Sequence, residues 1–403
     1  MMQVLVVVAI LCLLALTLHY PRPATVLWVL ATETSPDQWL DGLVGGYETI
    51  IAGMKAFGFL LVLVLALRGG WRGDRWNPAI AFALMFLVGL MHGLLPGLSG
   101  LESLRSLLGS AGPFLFGFVL LRGDVVAAVE GACLWGPLFT VLFGALLAAI
   151  GLDHMYAIQQ GAIRLGASGQ APFLAGFALV GVYAALRRLV AGGGGAAAAL
   201  LGLNLLIVAL TGARMPIILG LGVTLAALAM QRRVMALAAA GGLAAIMLIF
   251  AGAFSFLRVI DLAQLGEATD LSNRDLVWPY FQAAIAASPL VGWGVGAGKI
   301  VIPLTNTLAG LIGTNAAHNE YLRIGTEGGA LGLTCLIGLM VAWLVRGTRG
   351  LPPAERWLMR LIFAAFAVHS ATDNTLIATT ASVFFLWVST VFAKSGQLAS
   401  EAA

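Results

Sequence analysis

The chain has 403 residues, 60% of them hydrophobic and only 10% charged, with a mean hydropathy of +0.98 and a formal net charge of +4. That composition excludes an ordinary soluble domain, because the apolar runs are too many and too long for aqueous loops to separate. It also argues against a nucleic-acid partner, since the lysines and arginines fall in short clusters between apolar runs instead of forming a basic domain.

The expected fold is all-α, a polytopic membrane protein. A span needs about 20 apolar residues. Runs of that kind lie, in chain order, at 3–31 (broken at "HYPRP"), 48–67, 78–95, 104–121, 125–151, 170–186, 196–212, 215–230, 234–256, 326–345, 358–372 and 376–393. About twelve transmembrane helices are therefore predicted. The first run lacks a basic leader and a small-residue cleavage site, so it reads as a retained span, not a removed signal peptide. Cys12, Cys133 and Cys335 all lie inside apolar runs and read as buried thiols.

The clusters Arg68/Arg72/Arg75, Arg122, Arg187/Arg188, Arg232/Arg233, Arg346/Arg349/Arg356/Arg360 and Lys394 fall on every second connection. By the positive-inside rule those connections are cytoplasmic. The remaining connections face outward, including one of roughly 70 residues from 257 to 325, far longer than a usual link. Three regions follow: N-terminal spans over 1–256, a large outer loop with short helices over 257–325, and C-terminal spans over 326–403. "AGGGGAAAA" (191–199) is a flexible cytoplasmic turn. No internal repeat or matched pair of interrupted helices is visible, which weighs against a transporter.

Once topology accounts for the cytoplasmic arginines, most of the few remaining ionisable groups map to the outer side and are candidates for chemistry. Arg164 follows the fifth span, and Arg214 lies in "TGARMP" at an outer helix junction. Its guanidinium either caps the carbonyls of a short turn or meets an anion, whose phosphate oxygens its fork would match bidentately. Residues 272–299 predict a helix opened by a Ser272/Asp275 capping box and closed before Pro289, then alternating Gly292, Gly294, Gly296 and Gly298. That glycine stretch is either a plain turn or a place where backbone amides approach phosphate. Arg274 either pairs with Asp270 or Asp275 or binds an anion, and Lys299 ends the stretch. Glu48 with Lys55, and Glu130, read as pairs or polar contacts between helices.

Upstream of "AHNEYLRIGTEGGALGL" (317–333), Asn315 is expected to cap a helix beginning at Ala316, with His318 in its first turn and Gly325 and Gly329 on the face below. Close helix packing explains the glycines. It leaves His318, which near a helix N-terminus would tend to stay neutral and able to accept a proton. His369 and Asp373, spaced i, i+4, share a helix face and read first as a structural pair.

These residues resemble a known family. His318, Asn319, Glu327, Gly329, Gly332 and Leu333 are similar to the His-Asn and Glu-x-Gly-x-x-Gly-Leu signature of the O-antigen ligase and O-antigen polymerase superfamily. "TGARMPIILGLGV", "NRDLVWPYFQAAIAASPLVGWGVGAG" and "HSATDNTL" resemble three further family elements in the same order, together covering about 211 to 376. Ala213, Asn273 and "GQAPFLAG" depart from the usual pattern. The resemblance implies a membrane glycosyltransferase of the C type in the bacterial inner membrane, acting at the periplasmic face on a glycan carried by undecaprenyl diphosphate. The reading it favours is an O-antigen ligase with lipid A-core as acceptor, with polymerase onto a lipid-linked acceptor as the alternative. A transporter of the same lipid-linked glycan is the rival of another class. The implied chemistry is inverting and metal-independent, without a cofactor, which fits the lack of any Asp-x-Asp. His318 would be the base and Arg214 and Arg274 the diphosphate clamp, with Arg164, Lys299, Asn319, Glu327 and His369 binding substrate.

Overall fold

The computed structural model describes residues 12–40, 46–159, 162–231, 274–303 and 315–401. The predicted run 234–256, Ser272 of the expected capping box and the whole of 257–273 and 304–314 lie outside them. In chain order the elements are α1 (Pro21–Glu33), α2 (Tyr47–Gly69), α3 (Ala79–His92), α4 (Gly100–Ala111) continued by a 3-10 segment (Gly112–Phe118), and α5 (Gly123–Ala149). A hairpin of β1 (Tyr156–Gln159) and β2 (Ala162–Leu165) leads to α6 (Ala171–Val190), α7 (Gly195–Leu210) and α8 (Arg214–Met230). After the large loop's first part come α9 (Arg274–Ala287), α10 (Glu320–Gly347), α11 (Pro353–Ser370) and α12 (Thr379–Glu401).

The protein is mostly helical and multi-pass. Four described helices, α2, α5, α6 and α10, are long and apolar enough to cross a membrane. They are fewer than the twelve apolar runs for visible reasons. The run 104–121 divides into α4 and the 3-10 segment, and α3, α7 and α8 reach only 14, 16 and 17 residues. The surface is apolar: Leu63 and Leu67 on α2, Leu87 and Met91 on α3, and Leu142 and Leu146 on α5 all point outward. A water-soluble surface rarely carries so continuous an apolar patch; lipid accepts it. Of the three thiols, Cys133 is buried as expected, whereas Cys12 is exposed and Cys335 half-buried, because an apolar residue in lipid has no need to face inward.

α6 is the central helix, buried nearly all round and packed against α5, α7, α8, α11 and α12. Its buried Arg187 pairs with Glu130 of α5 at 3.3 Å and Glu355 of α11 at 3.0 Å, and Arg188 joins Glu130 at 2.8 Å. Glu130 is thus a polar contact between helices, as expected. Lys55 turns toward Gly109 of α4 and Lys299.

α10 carries the feature that shapes the end of the bundle bearing His318. It breaks at Gly329, whose φ of 58° and ψ of −162° are open to glycine alone. The break frees backbone groups, and residues 289–294 fill it. Trp293 N–H donates to Thr326 O at 2.9 Å and Gly294 N–H to Glu327 O at 2.9 Å, while Ala330 and Leu331 donate to Pro289 O and Leu290 O at 2.8 and 3.0 Å. Gly292, at φ 67°, lies so close that a Cβ would stand 2.6 Å from the Glu327 carbonyl carbon. The two glycine motifs therefore interlock. This settles the choice between turn and phosphate loop for the amides of Trp293 and Gly294, which are already committed. Ser103 Oγ of α4 donates to Val295 O at 2.7 Å and fixes the same segment from the other side.

Gly329→Ala should consequently lower stability by about 2 kcal/mol or more, because alanine there is both strained and in collision with the backbone of Leu290 and Val291. Gly338→Ala, on the same helix with nothing within 4 Å of the added carbon, is the control. Melting in detergent checks the pair: equal midpoints would refute the interlock.

Candidate active site

The helix bearing the histidine motif begins at Glu320, four residues later than Ala316. Asn319 caps it, its side-chain oxygen accepting from Tyr321 N–H at 3.0 Å and Leu322 N–H at 3.2 Å. Asn315 lies upstream of the helix start, where its side-chain amide donates to Lys299 O at 2.8 Å. His318 therefore stands just outside the helix, at φ 45°, a left-handed conformation uncommon for a residue with a Cβ. Trp278 of α9 holds the approach to it, donating Nε1–H to Ala317 O at 2.9 Å.

The left-handed turn sends the imidazole toward the loop between α11 and α12. His318 Nδ1 meets Asp373 Oδ1 at 3.3 Å, and the other oxygen of Asp373 lies 4.0 Å from His369 Nε2. The loop is clamped around Asp373. Asn374 N–H donates to Asp373 Oδ1 at 2.8 Å, Ser370 and Thr375 hydroxyls meet at 2.6 Å, and Leu376 N–H donates to Glu320 Oε1 at 2.8 Å. Burial pushes the Asp373 carboxyl up, but the hydrogen bond from His318, the positive potential of His369 and His318, and the Asn374 amide outweigh it and hold it below the usual aspartate value. With Asp373 ionised, the hydrogen bond between the two side chains requires a proton on His318 Nδ1.

Beneath this group runs a buried triad. Arg323 Nε bonds Glu320 Oε2 at 2.6 Å, and Nη1 bonds Glu327 Oε2 at 3.0 Å and Ser110 Oγ at 3.3 Å. Glu327 is 1% exposed, so its carboxylate faces protein. Sequence reasoning passed over Glu320 and Arg323, although their i, i+3 and i, i+4 spacings to each other and to Glu327 were the available signal.

The cations fall into two groups. Lys299 sits beside Asn315 at the entrance to the histidine turn. Partial desolvation lowers its ammonium below the ordinary lysine value, with Lys55 and Arg323 pushing the same way and Glu327 opposing. Arg164, on β2, donates Nε–H to Thr211 O at 2.8 Å and so bonds the carbonyl end of α7. Arg214, for which capping was the expectation weighed against anion binding, opens α8, half-buried, after the Thr211 and Gly212 turn. α8 packs on α11, the helix that ends at His369 and Ser370. Of Arg274 only the backbone, at the start of α9, is among the described atoms. A largely apolar groove lined by Trp28, Met54, Lys55, Phe59, Phe116 and Ile377 opens close to the Asp373 loop.

Residues 197–337 match the family model of the O-antigen ligases. The resemblance to the O-antigen ligase superfamily is thereby shown over roughly a third of the chain. No curated protein matches the chain. The match runs from α7 into α10 and so includes Arg214, Arg274, Lys299, His318 and Glu327, and it stops before His369 and Asp373. O-antigen ligase family members are glycosyltransferase-like ligases and polymerases acting on lipid-linked glycans, and Asp373 reaches the matched segment only through tertiary structure.

Proposed function

We propose that this protein is a periplasmic-face glycosyltransferase of the inner membrane that moves a glycan from undecaprenyl diphosphate to a sugar hydroxyl, with lipid A-core as the acceptor of an O-antigen ligase. The observation that carries the reading is the His318 to Asp373 hydrogen bond, made just outside the α10 cap within the ligase-family segment. In this scheme His318 Nε2 takes the proton of the acceptor hydroxyl as its oxygen attacks the anomeric carbon. The bond from that carbon to the diphosphate oxygen breaks, with inversion, in one displacement. The leaving diphosphate keeps its electron pair, so neutralising its charge matters more than protonating it. Arg214 and Arg274 serve that purpose, with Arg164 and Lys299 near the same end, and Asn319 and His369 shape the acceptor side. Glu327 supports the site through Arg323. The apolar groove with Lys55 at its wall suits a polyprenyl chain whose head carries phosphate.

The test is transfer in vitro, with purified protein, undecaprenyl-diphosphate-linked glycan and either lipid A-core or further lipid-linked units, in the presence of a chelator. One transfer onto lipid A-core supports the ligase, a ladder of longer lipid-linked chains makes the protein a polymerase, and no product from folded protein overturns the proposal. Loss of activity restored by magnesium would remove its metal-independent part. Arg214→Lys keeps the charge but loses the bidentate fork, and its rate should fall by about tenfold or more. A lysine variant as fast as the parent would sink the clamp role.

A further inference from the structure

A second site lies at the other end of α10. From the Asn319 cap to Arg346 the helix climbs about 40 Å at 1.5 Å per residue, enough to carry its C-terminal end to the opposite membrane face. There Arg72, Arg75, Arg346 and Arg349 line one cavity with Asp74, Trp76 and Phe392. The four arginines come from two segments remote in sequence, the α2 to α3 connection and the end of α10. They are opposed by a single carboxylate. Asp74 is committed to its own turn, accepting from Trp76 N–H at 3.1 Å, and none of the four arginines forms an ion pair among the described residues.

The cavity is held in shape. The guanidinium of Arg346 lies 4.5 Å from the Trp76 ring centre and that of Arg75 5.5 Å, so the indole gathers two cations on itself. Arg72 N–H donates to Phe118 O at 2.7 Å, and Arg356 Nη2 donates to Arg349 O at 2.9 Å, which pins both arginine-bearing turns. Orientation in the membrane requires only a count of positive charges near a span end. It does not require four guanidinia, without an ion-pair partner among the described residues, to converge on one hollow. Such convergence is repulsive until an anion enters, and guanidinium forks match phosphate oxygens. Beside the cavity, Leu67, Trp71 and Leu120 are exposed and apolar, with Trp71 stacked on Phe118. They offer a wall for acyl chains next to the cationic hollow.

We propose that this cavity binds the phosphate of an anionic phospholipid headgroup, on the membrane face opposite His318. Basic hollows between membrane helices on the cytoplasmic side are suited to such headgroups. The same chemistry would admit free phosphate, so the experiment separates the two sources. Purified full-length protein is titrated with phosphatidylglycerol or phosphatidylcholine and observed by native mass spectrometry, with inorganic phosphate and pyrophosphate as competitors. Phosphatidylglycerol is expected to be retained over phosphatidylcholine. Arg72→Gln/Arg349→Gln, which spares the two arginines stacked on Trp76, should weaken that retention by about tenfold or more, the scale of losing charged hydrogen bonds. Arg122→Gln, an exposed arginine outside the cavity, should leave it unchanged. Equal retention of both lipids, an equal loss with Arg122→Gln, or no loss in a folded double variant overturns the site. Full displacement by inorganic phosphate or pyrophosphate, without preference for the lipid, overturns the lipid as its ligand.

Discussion

Replacing His318 by alanine should cut the rate of glycan transfer by about 100- to 10,000-fold, the range spanned by general-base catalysis, while the protein remains folded. Folding should survive because the imidazole is about 30% exposed and the cap of α10 is made by Asn319, not by His318. Alanine at φ 45° carries a backbone strain like that of histidine, so the substitution removes the side chain without relaxing the turn. Asp373→Asn sharpens the test. An amide that donates to Nδ1 would move the imidazole proton to Nε2 and abolish the acceptor, so a loss approaching that of His318→Ala, about 100- to 10,000-fold, is expected from a protein of unchanged size. The pH dependence has a definite sign. The carboxyl of Asp373 is held below the usual aspartate range, so its stabilising bond is fully present above the unfolded value of about 3.9. It is lost only as pH falls through the lower, folded value. Rates measured with purified variants, alongside gel filtration, decide the matter. A His318→Ala protein that transfers at the parent rate excludes the base, and one that no longer folds would assign His318 a structural task instead.

Arg323→Leu is expected to have the largest effect on stability, about 3–5 kcal/mol, because it leaves Glu320 and Glu327 facing each other inside the protein without a cation. The cost comes from the stranded charges more than from the lost attraction. Converting all three positions together, Arg323→Leu with Glu320→Gln and Glu327→Gln, should therefore recover much of the loss. Glutamine at 320 still offers an oxygen to Leu376 N–H, which keeps the Asp373 loop in place. Melting in detergent distinguishes the cases: a triple variant as unstable as the single one would show that the triad matters for its shape, not its charge balance. Loss of transfer in a stable triple variant would instead tie the charges of the triad to the chemistry.

Hydropathy and glycine placement, both local properties, made the class legible. Runs of about 20 apolar residues specify a helical membrane protein whatever their partners, and "AHNEYLRIGTEGGALGL" with "SPLVGWGVGAG" already held the residues that resemble the O-antigen ligases. Those stretches mark backbone approaching backbone. Which backbones meet is a different question, and only the folded chain answers it: 289–294 enters the break at Gly329, so the amides of Trp293 and Gly294 are spent on α10. Asn315 and Asn319 are equally good caps by residue type, and the fold starts α10 at Glu320, so the cap is Asn319, while Asn315 ties its own turn to Lys299 O. The sequence offered a capping role for Arg214 and none for Arg164, yet the hairpin brings Arg164 to the Thr211 carbonyl. The same holds for His318 and Asp373, 55 residues apart, which no periodicity relates. Helical period and span length arise from hydrogen bonds four residues apart and from burial in lipid, so sequence alone determined them. The histidine and aspartate side chains are joined across the bundle by packing, and that pairing belonged to the tertiary structure.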